Sequence, residues 1–212
     1  MRKPKNCQPS SPLDALEPRR RAILEAAFSV LMERGYAGAS TLEIARRARV
    51  SKRELYAEFG SKSGMLQALI AATAQRMRLP LAAGEIGDRK SLETMLRRFG
   101  ASALTELTRK PVVAINRLAV AEAGRSAELG RILERQGREP TRRALAEVMA
   151  KAKAAGLIGR GDPEAMAGHF FSLLMGDLMN RLLLGVIEPP SAKEIARRAE
   201  AATSALLALH GL

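Results

Sequence analysis

Apolar residues recur along this chain with a period near 3.6 rather than 2. Over residues 19–33, Ile23, Leu24, Ala27, Phe28, Val30 and Leu31 form one helical stripe, and Gly35 is placed to stop that helix. In Ser40, Thr41, Leu42 and Glu43 a hydroxyl and a carboxylate stand three positions apart, the spacing of a capping box, so a second helix is expected to start near Thr41. Leu42, Ile44, Ala45 and Ala48 would line its inner face, with Glu43, Arg46 and Arg47 in water. Ser51, Lys52, Arg53 and Glu54 repeat the box, and Leu55, Ala57 and Phe59 follow with Tyr56 on the exposed flank. Only Arg49 and Val50 separate the two helices, a connection that suits a steep crossing around a small shared core.

Helical spacing continues to the end of the chain. A helix over residues 62–77, ended by Pro80, would dock this head on the rest, followed by helices over 91–108, 111–123, 126–136, 140–155, 163–185 and 191–210. Proline at the first position starts three of them, and Ser191 with Glu194 forms another capping box. No stretch shows the sustained alternation of a strand. The expected fold is all-α: a Pro-, Ser- and Lys-containing flexible basic tail over 1–17, a three-helix head with a helix-turn-helix over 18–62, and a second helical domain over 63–212.

Three helices, the third short and basic at its start, are the layout of a DNA reader whose second helix-turn-helix element lies in the major groove. Ser51, Lys52 and Arg53 stand at that start, and Arg or Lys facing guanine O6 and N7 is the commonest specific contact, so Arg53 is expected to read a base. Glu54 can accept from cytosine N4 or complete the box with Ser51. Charge agrees with this reading. The chain carries a formal +13, and residues 1–80 hold 15 Lys or Arg against 7 Asp or Glu. Such a field speeds encounter with a polyanion. Arg2, Lys3 and Lys5 would extend it as a loose arm or simply belong to a flexible tail.

Other chemistries find little support. The single cysteine, Cys7, allows no intrachain disulfide and no thiolate metal site, which with the absence of a leader-like apolar run suggests a reducing cytoplasm. The two histidines, His169 and His210, sit on separate helices with no carboxylate at ligand spacing, and His169 beside Phe170 reads as a packed helical histidine rather than a metal ligand. Neither a catalytic residue, a metal nor a cofactor is expected. The apolar run 170–187 contains Asp177, Asn180 and Arg181, and an Asp or Arg near the centre of a membrane span costs roughly 2.5 to 3.5 kcal/mol, so an interface helix is expected there and no membrane.

The segment ILEAAFSVLMERGYAGASTLEIARRARVSKRELYAEFGSKSGMLQAL resembles the N-terminal domain of TetR-type transcriptional regulators at nearly every fixed position, and PVVAINRLAVAEA and LLMGDLMNRLLLG resemble the C-terminal domain of one subgroup. Two features depart from the pattern. Arg49 stands where the family usually has Gly, which predicts a slightly different turn, and Ala57 and Glu58 follow Tyr56 where the family commonly has an aromatic or His that meets phosphate. The resemblance implies phosphate contacts from Thr41, Tyr56 and Lys62, and a homodimer bound to a palindromic double-stranded DNA operator. It implies a four-helix interface, here carrying Leu174, Asp177, Leu178, Arg181, Ala199 and Leu206. It also implies a cavity for a small effector, for which Met95, Phe99, Asn116, Met149 and Phe170 are the candidates, and their composition favours an apolar ligand. Asn116 would orient that ligand or satisfy a local backbone group, and the sequence leaves both open. The functional expectation is a transcriptional repressor released by its ligand; the alternative is an architectural DNA-binding protein without an effector.

Overall fold

The computed structural model describes residues 16–159 and 161–211, and every regular element among them is helical. The basic arm of Arg2, Lys3 and Lys5, and Cys7, lie outside the described residues. The chain divides into two compact units, Met1–Thr73 and Ala74–Leu212. The boundary falls inside one helix, α4 (Lys62–Ala82), whose first three turns belong to the head and bury Met65, Leu66 and Leu69.

In the first unit α1 (Pro18–Gly38) buries Ile23, Leu24, Ala27, Val30 and Leu31, and Gly35 breaks its regularity with φ 71°. The helices α2 (Thr41–Arg47) and α3 (Lys52–Phe59) follow. Between them Arg49 takes a left-handed φ of 55°, the one non-glycine residue to do so among the described residues. Val50 N–H donates to Ala45 O at 3.0 Å and Arg49 N–H to Arg46 O at 3.2 Å, which together close a Schellman turn. Arg49 therefore occupies the conformation a glycine would take freely, at a cost on the order of 1 kcal/mol, and the altered turn expected at this position does not occur.

The helix α2 has three faces. Ile44 and Ala45 are buried, while Glu43 and Arg47 turn to α1. Leu42, expected inside, instead stands 66% exposed, on the same face as Arg46 one turn later. The first capping box is also incomplete: Ser40 Oγ accepts from Leu42 N–H at 3.2 Å, and the Glu43 carboxylate serves Arg47 instead. A basic neighbour on the same face outcompetes the backbone amide for that carboxylate.

The second unit continues with α5 (Arg89–Leu107), α6 (Lys110–Glu122), α7 (Glu128–Leu133), a π-helical turn at Glu134–Arg138, α8 (Glu139–Ala154), α9 (Pro163–Met175), α10 (Leu178–Leu184) and α11 (Ala192–Leu209). The helix α11 packs on α5 and α9, α8 on α9, and α6 on α7 and α10. Their common core holds Leu92, Leu96, Phe99, Leu145, Met149, Phe170 and Leu206.

Three expectations need correcting here. Pro80 does not end α4 but lies within it. It cannot donate to Arg76 O, and Ser102 Oγ–H from α5 donates to that carbonyl at 3.3 Å in its place. The expected helix over 163–185 is broken at Gly176, whose φ of 48° and ψ of −125° separate α9 from α10. The helices expected over 126–136 and 140–155 are not parted by a loop, because the π-helical turn carries the chain from α7 into α8. Beside α4, the buried Glu106 carboxylate is held by Arg76 at 3.0 Å and by Arg109 at 3.5 Å, two guanidinium groups that offset the loss of its hydration.

Candidate nucleic-acid interface

Both halves of a capping box fix the start of α3: Ser51 Oγ accepts from Glu54 N–H at 3.1 Å, and Glu54 Oε2 accepts from Ser51 N–H at 2.8 Å. Glu54 is also paired with Arg19, and this hydrogen bond, ahead of those from Ser51, holds its carboxyl down at about 2. The carboxylate is thus committed to the head's own structure, which decides against the cytosine contact.

With the helix start fixed, its outer side chains assemble one surface. The Lys52 ammonium lies 5.6 Å from the centroid of the Tyr56 ring, and the Tyr56 hydroxyl lies 3.1 Å from Thr41 Oγ1 at the start of α2. Thr41 on α2 and Lys52 and Tyr56, one turn apart on α3, form one run beside Arg53, which is exposed on the first turn of α3. Lys62 is placed differently. Its Nζ donates to Tyr36 O at 2.5 Å and lies 4.5 Å from the centre of the Tyr36 ring, tying the start of α4 to the end of α1, beyond the break at Gly35.

The head's acids are turned to its own cations. Arg47 grips Glu33 with both terminal nitrogens, at 2.5 and 2.6 Å, and also reaches Glu43 at 2.5 Å. Hydrogen bonds from Arg47 and then Ser29 hold the Glu33 carboxyl down at about 2. Glu58, one of the residues that depart from the family pattern, is paired with Arg20, whose guanidinium also lies 5.0 Å from the Phe59 ring centre. These pairs are exposed and add little stability individually. Their consequence is the charge left over: Arg46, Arg49, Lys52 and Arg53 are exposed and carry no ion-pair partner among the described residues. A surface of unpaired cations with its acids neutralised suits a phosphate backbone.

In the second unit the expected effector residues lie mostly in closed core. Phe99 and Phe170 are fully buried with ring centres 5.8 Å apart, Phe171 meets Phe99 edge-on at 5.8 Å, and Met149 is buried among them. Asn116 donates from Nδ2 to Val112 O at 2.9 Å, one turn back, so its amide is spent on local backbone. Met95 alone of the five lines a hollow of about 380 Å³, formed with Pro80, Gly84, Asp88, Ser91 and Thr94.

The residues expected at the dimer interface divide in the same way. Leu174, Leu178, Ala199 and Leu206 are buried within their own chain, whereas Asp177 and Arg181 are exposed with 3.9 Å between their charged groups. Helical spacing shows that a helix has an apolar face but not which chain covers it, and here α5, α9 and α11 cover one another. The exposed residues of α9 and α11 include Ser172, Leu173, Ala201, Ser204 and Leu209, together with the charged Glu164, Lys193, Arg197 and Glu200.

Comparison with known proteins agrees with this geometry. Residues 23–69 match the family described as bacterial regulatory proteins of the tetR family, and residues 94–211 match the C-terminal domain described as that of an AefR-like transcriptional repressor. An uncharacterized HTH-type transcriptional regulator, YvkB, of Bacillus subtilis (strain 168) is 28% identical over 84% of this chain and 92% of its own length. A TetR transcriptional regulator from Agrobacterium tumefaciens is 30% identical with a TM-score of 0.75, covering 92% of this chain and 95% of its own. The flavonoid-responsive regulator FrrA is 29% identical with a TM-score of 0.70, over 91% of this chain and 96% of its own. No helix among the described residues is long and apolar enough to cross a membrane. A capped recognition helix with unpaired cations at its start, in a head that matches one family and on a helical unit that matches its C-terminal domain, places this chain in the TetR family of DNA-binding transcriptional regulators, which are not enzymes.

Proposed function

We propose that the protein is a cytoplasmic, homodimeric repressor that binds a palindromic operator and leaves it when a small, mostly apolar ligand binds the second unit. The observation that carries the reading is the exposed run of Thr41, Tyr56, Lys52 and Arg53 around the capped start of α3. In it Arg53 reads a base edge, Thr41 and Tyr56 hold phosphate oxygens, and Lys52 lies over the tyrosine ring within reach of either. Ser51 fixes the helix start through its cap. Lys62 acts through Tyr36, fixing the start of α4 rather than reaching out to DNA.

Dimerisation is assigned to the outward faces of α9 and α11, where Leu173 and Leu209 stand exposed among small side chains, with Asp177 and Arg181 at the edge. Two copies joined there would bring two reading helices to half-sites about one turn of DNA apart, near 34 Å. Similarity to a regulator named as flavonoid-responsive supports a small-molecule effector, and the matched C-terminal domain, described as that of a repressor, supports repression. Because the Phe99 and Phe170 rings pack together, with Met149 in the same closed core, the ligand must open that core, and binding there selects a rearranged second unit. A typical coupling of about 1 to 3 kcal/mol would weaken operator binding roughly 5-fold to 150-fold.

The test is selection of bound fragments from the source genome, followed by release of the selected operator in a screen of apolar compounds and by sedimentation of the protein alone. The reading expects a two-fold symmetric site, a dimer at micromolar concentration and at least one releasing compound. A wild-type monomer defeats the dimer assignment, and an operator that no compound releases favours an architectural protein.

A further inference from the structure

In the head, only two large apolar side chains are exposed among the described residues, and both are at the DNA-facing surface: Tyr56 at 40% and Leu42 at 66%. They are linked through Thr41, which precedes Leu42 in α2 and shares a 3.1 Å hydrogen bond with the Tyr56 hydroxyl. Leu42 is not held out by a poor fit elsewhere on its helix. Ile44 and Ala45 fill the inner face of α2, and Glu43 and Arg47 are bound to the Glu33, Ser29 and Arg34 side of α1, so the face left to Leu42 is the outer one it shares with Arg46. A leucine in water forgoes the stabilisation that burial gives such a side chain. The cations around it, Arg46, Lys52 and Arg53, are exposed as well.

We infer that Leu42 is a specificity residue that packs on the C5-methyl group of a thymine in the major groove, beside the bases met by α3. The inference rests on the DNA-binding reading of this face. A leucine offers neither donor nor acceptor, so it can neither hold a phosphate nor pair with a polar base edge. The one apolar group that the major groove presents in a sequence-dependent way is the thymine methyl. An apolar reader on α2, next to a guanidinium reader on α3, gives the half-site two kinds of information: a methyl at one position and a guanine at another. The surrounding cations favour a polyanion over an apolar protein partner.

The experiment uses the full-length protein and its selected operator, made as duplexes in which thymines are replaced by uracil one position at a time, which removes the methyl and leaves the pairing edge intact. Wild-type protein should lose about fourfold in affinity per half-site at one position, the effect of one buried methyl, and L42A should bind the thymine and uracil duplexes alike. An exposed side chain is a safe substitution for folding, and an unchanged thermal melt of L42A confirms it. Equal binding of thymine and uracil duplexes by wild type overturns the inference, as does a thymine preference that survives in L42A. An L42A variant with unaltered DNA binding also overturns it and would assign the patch to a protein partner. The two readings fail separately: a head that protects no DNA at all removes the DNA reading and this inference with it, whereas a clear footprint without methyl discrimination removes the inference alone.

Discussion

The two units of this chain differ in whether charge enters the interior. In the head, ion pairs lie at or near the surface, and four carboxylates are matched to arginines of the same unit: Glu33 and Glu43 to Arg47, Glu54 to Arg19, Glu58 to Arg20. In the second unit one carboxylate, Glu106, is buried between Arg76 and Arg109 beside an interior of Leu, Met and Phe. The first arrangement leaves the cations at the start of α3 for an outside anion. The second keeps the buried Glu106 paired beside an interior built on Phe99 and Phe170. The head thus presents unpaired cations at its surface, and the second unit encloses an apolar, aromatic interior.

The sharpest way to break that contrast is to charge the second unit's interior. Leu178 is buried in its own chain, so Leu178→Arg should place an unpaired charge in the core and cost more than about 4 kcal/mol, read as loss of the cooperative melt. Leu173→Arg, on the outward face of α9, should instead leave a folded chain that sediments as a monomer. A folded, monomeric Leu178→Arg variant would move the interface inward.

Lys62 offers a second cut, inside the head. Its hydrogen bond to the Tyr36 carbonyl is charge-assisted, and Lys62→Ala should cost about 1.5 to 3 kcal/mol of stability while leaving the salt dependence of operator binding nearly unchanged. If Lys52 meets a phosphate, Lys52→Ala should lower the salt slope by about one unit with little loss of stability. A reversal of the two results would return Lys62 to the DNA. A smaller effect follows from the turn between α2 and α3: Arg49→Gly should relieve the left-handed strain and stabilise the head by about 1 kcal/mol, read in chemical denaturation. A destabilised variant would show that the arginine side chain contributes more than its backbone strain costs.

The weakest effect is that of acid. Glu33 and Glu54 sit at about 2 in the folded head, below their ordinary range, so the unfolded chain takes up their protons first as pH falls. Their contribution is complete above the unfolded value near 4.5 and should fade as pH drops towards 2. Glu54→Gln should flatten that part of the stability profile, and an unchanged profile would show that the Arg19 pair adds nothing.

Much of the head was legible because its signals are local. Ser51 and Glu54 fix the start of α3 through contacts three residues apart, and the apolar stripe of α1 needs only its own period. Where a long-range partner decides, the sequence misled: Glu43 left its capping box for Arg47, and Lys62 found the Tyr36 carbonyl 26 positions away. Leu42 was read by its apolar character, and nothing local reveals that the inner face of a seven-residue helix is already filled by Ile44 and Ala45. In the second unit apolar periodicity marked the right helices, but Leu174, Leu178 and Phe99 look alike in sequence whether they face a cavity, a partner or their own core. The break at Gly176 was missed for a related reason: a glycine inside an apolar run signals close packing as readily as a change of direction.

The central claim is that the capped start of α3 reads DNA through Arg53. The measurement that tests it most directly is the affinity of wild type and Arg53→Ala for the selected operator and for every single base-pair variant of one half-site. The account predicts a loss of about 1 to 3 kcal/mol for Arg53→Ala on the selected site, with wild type's preference at one base pair of the half-site erased and its other preferences intact. Unchanged affinity together with an unchanged preference profile would contradict it.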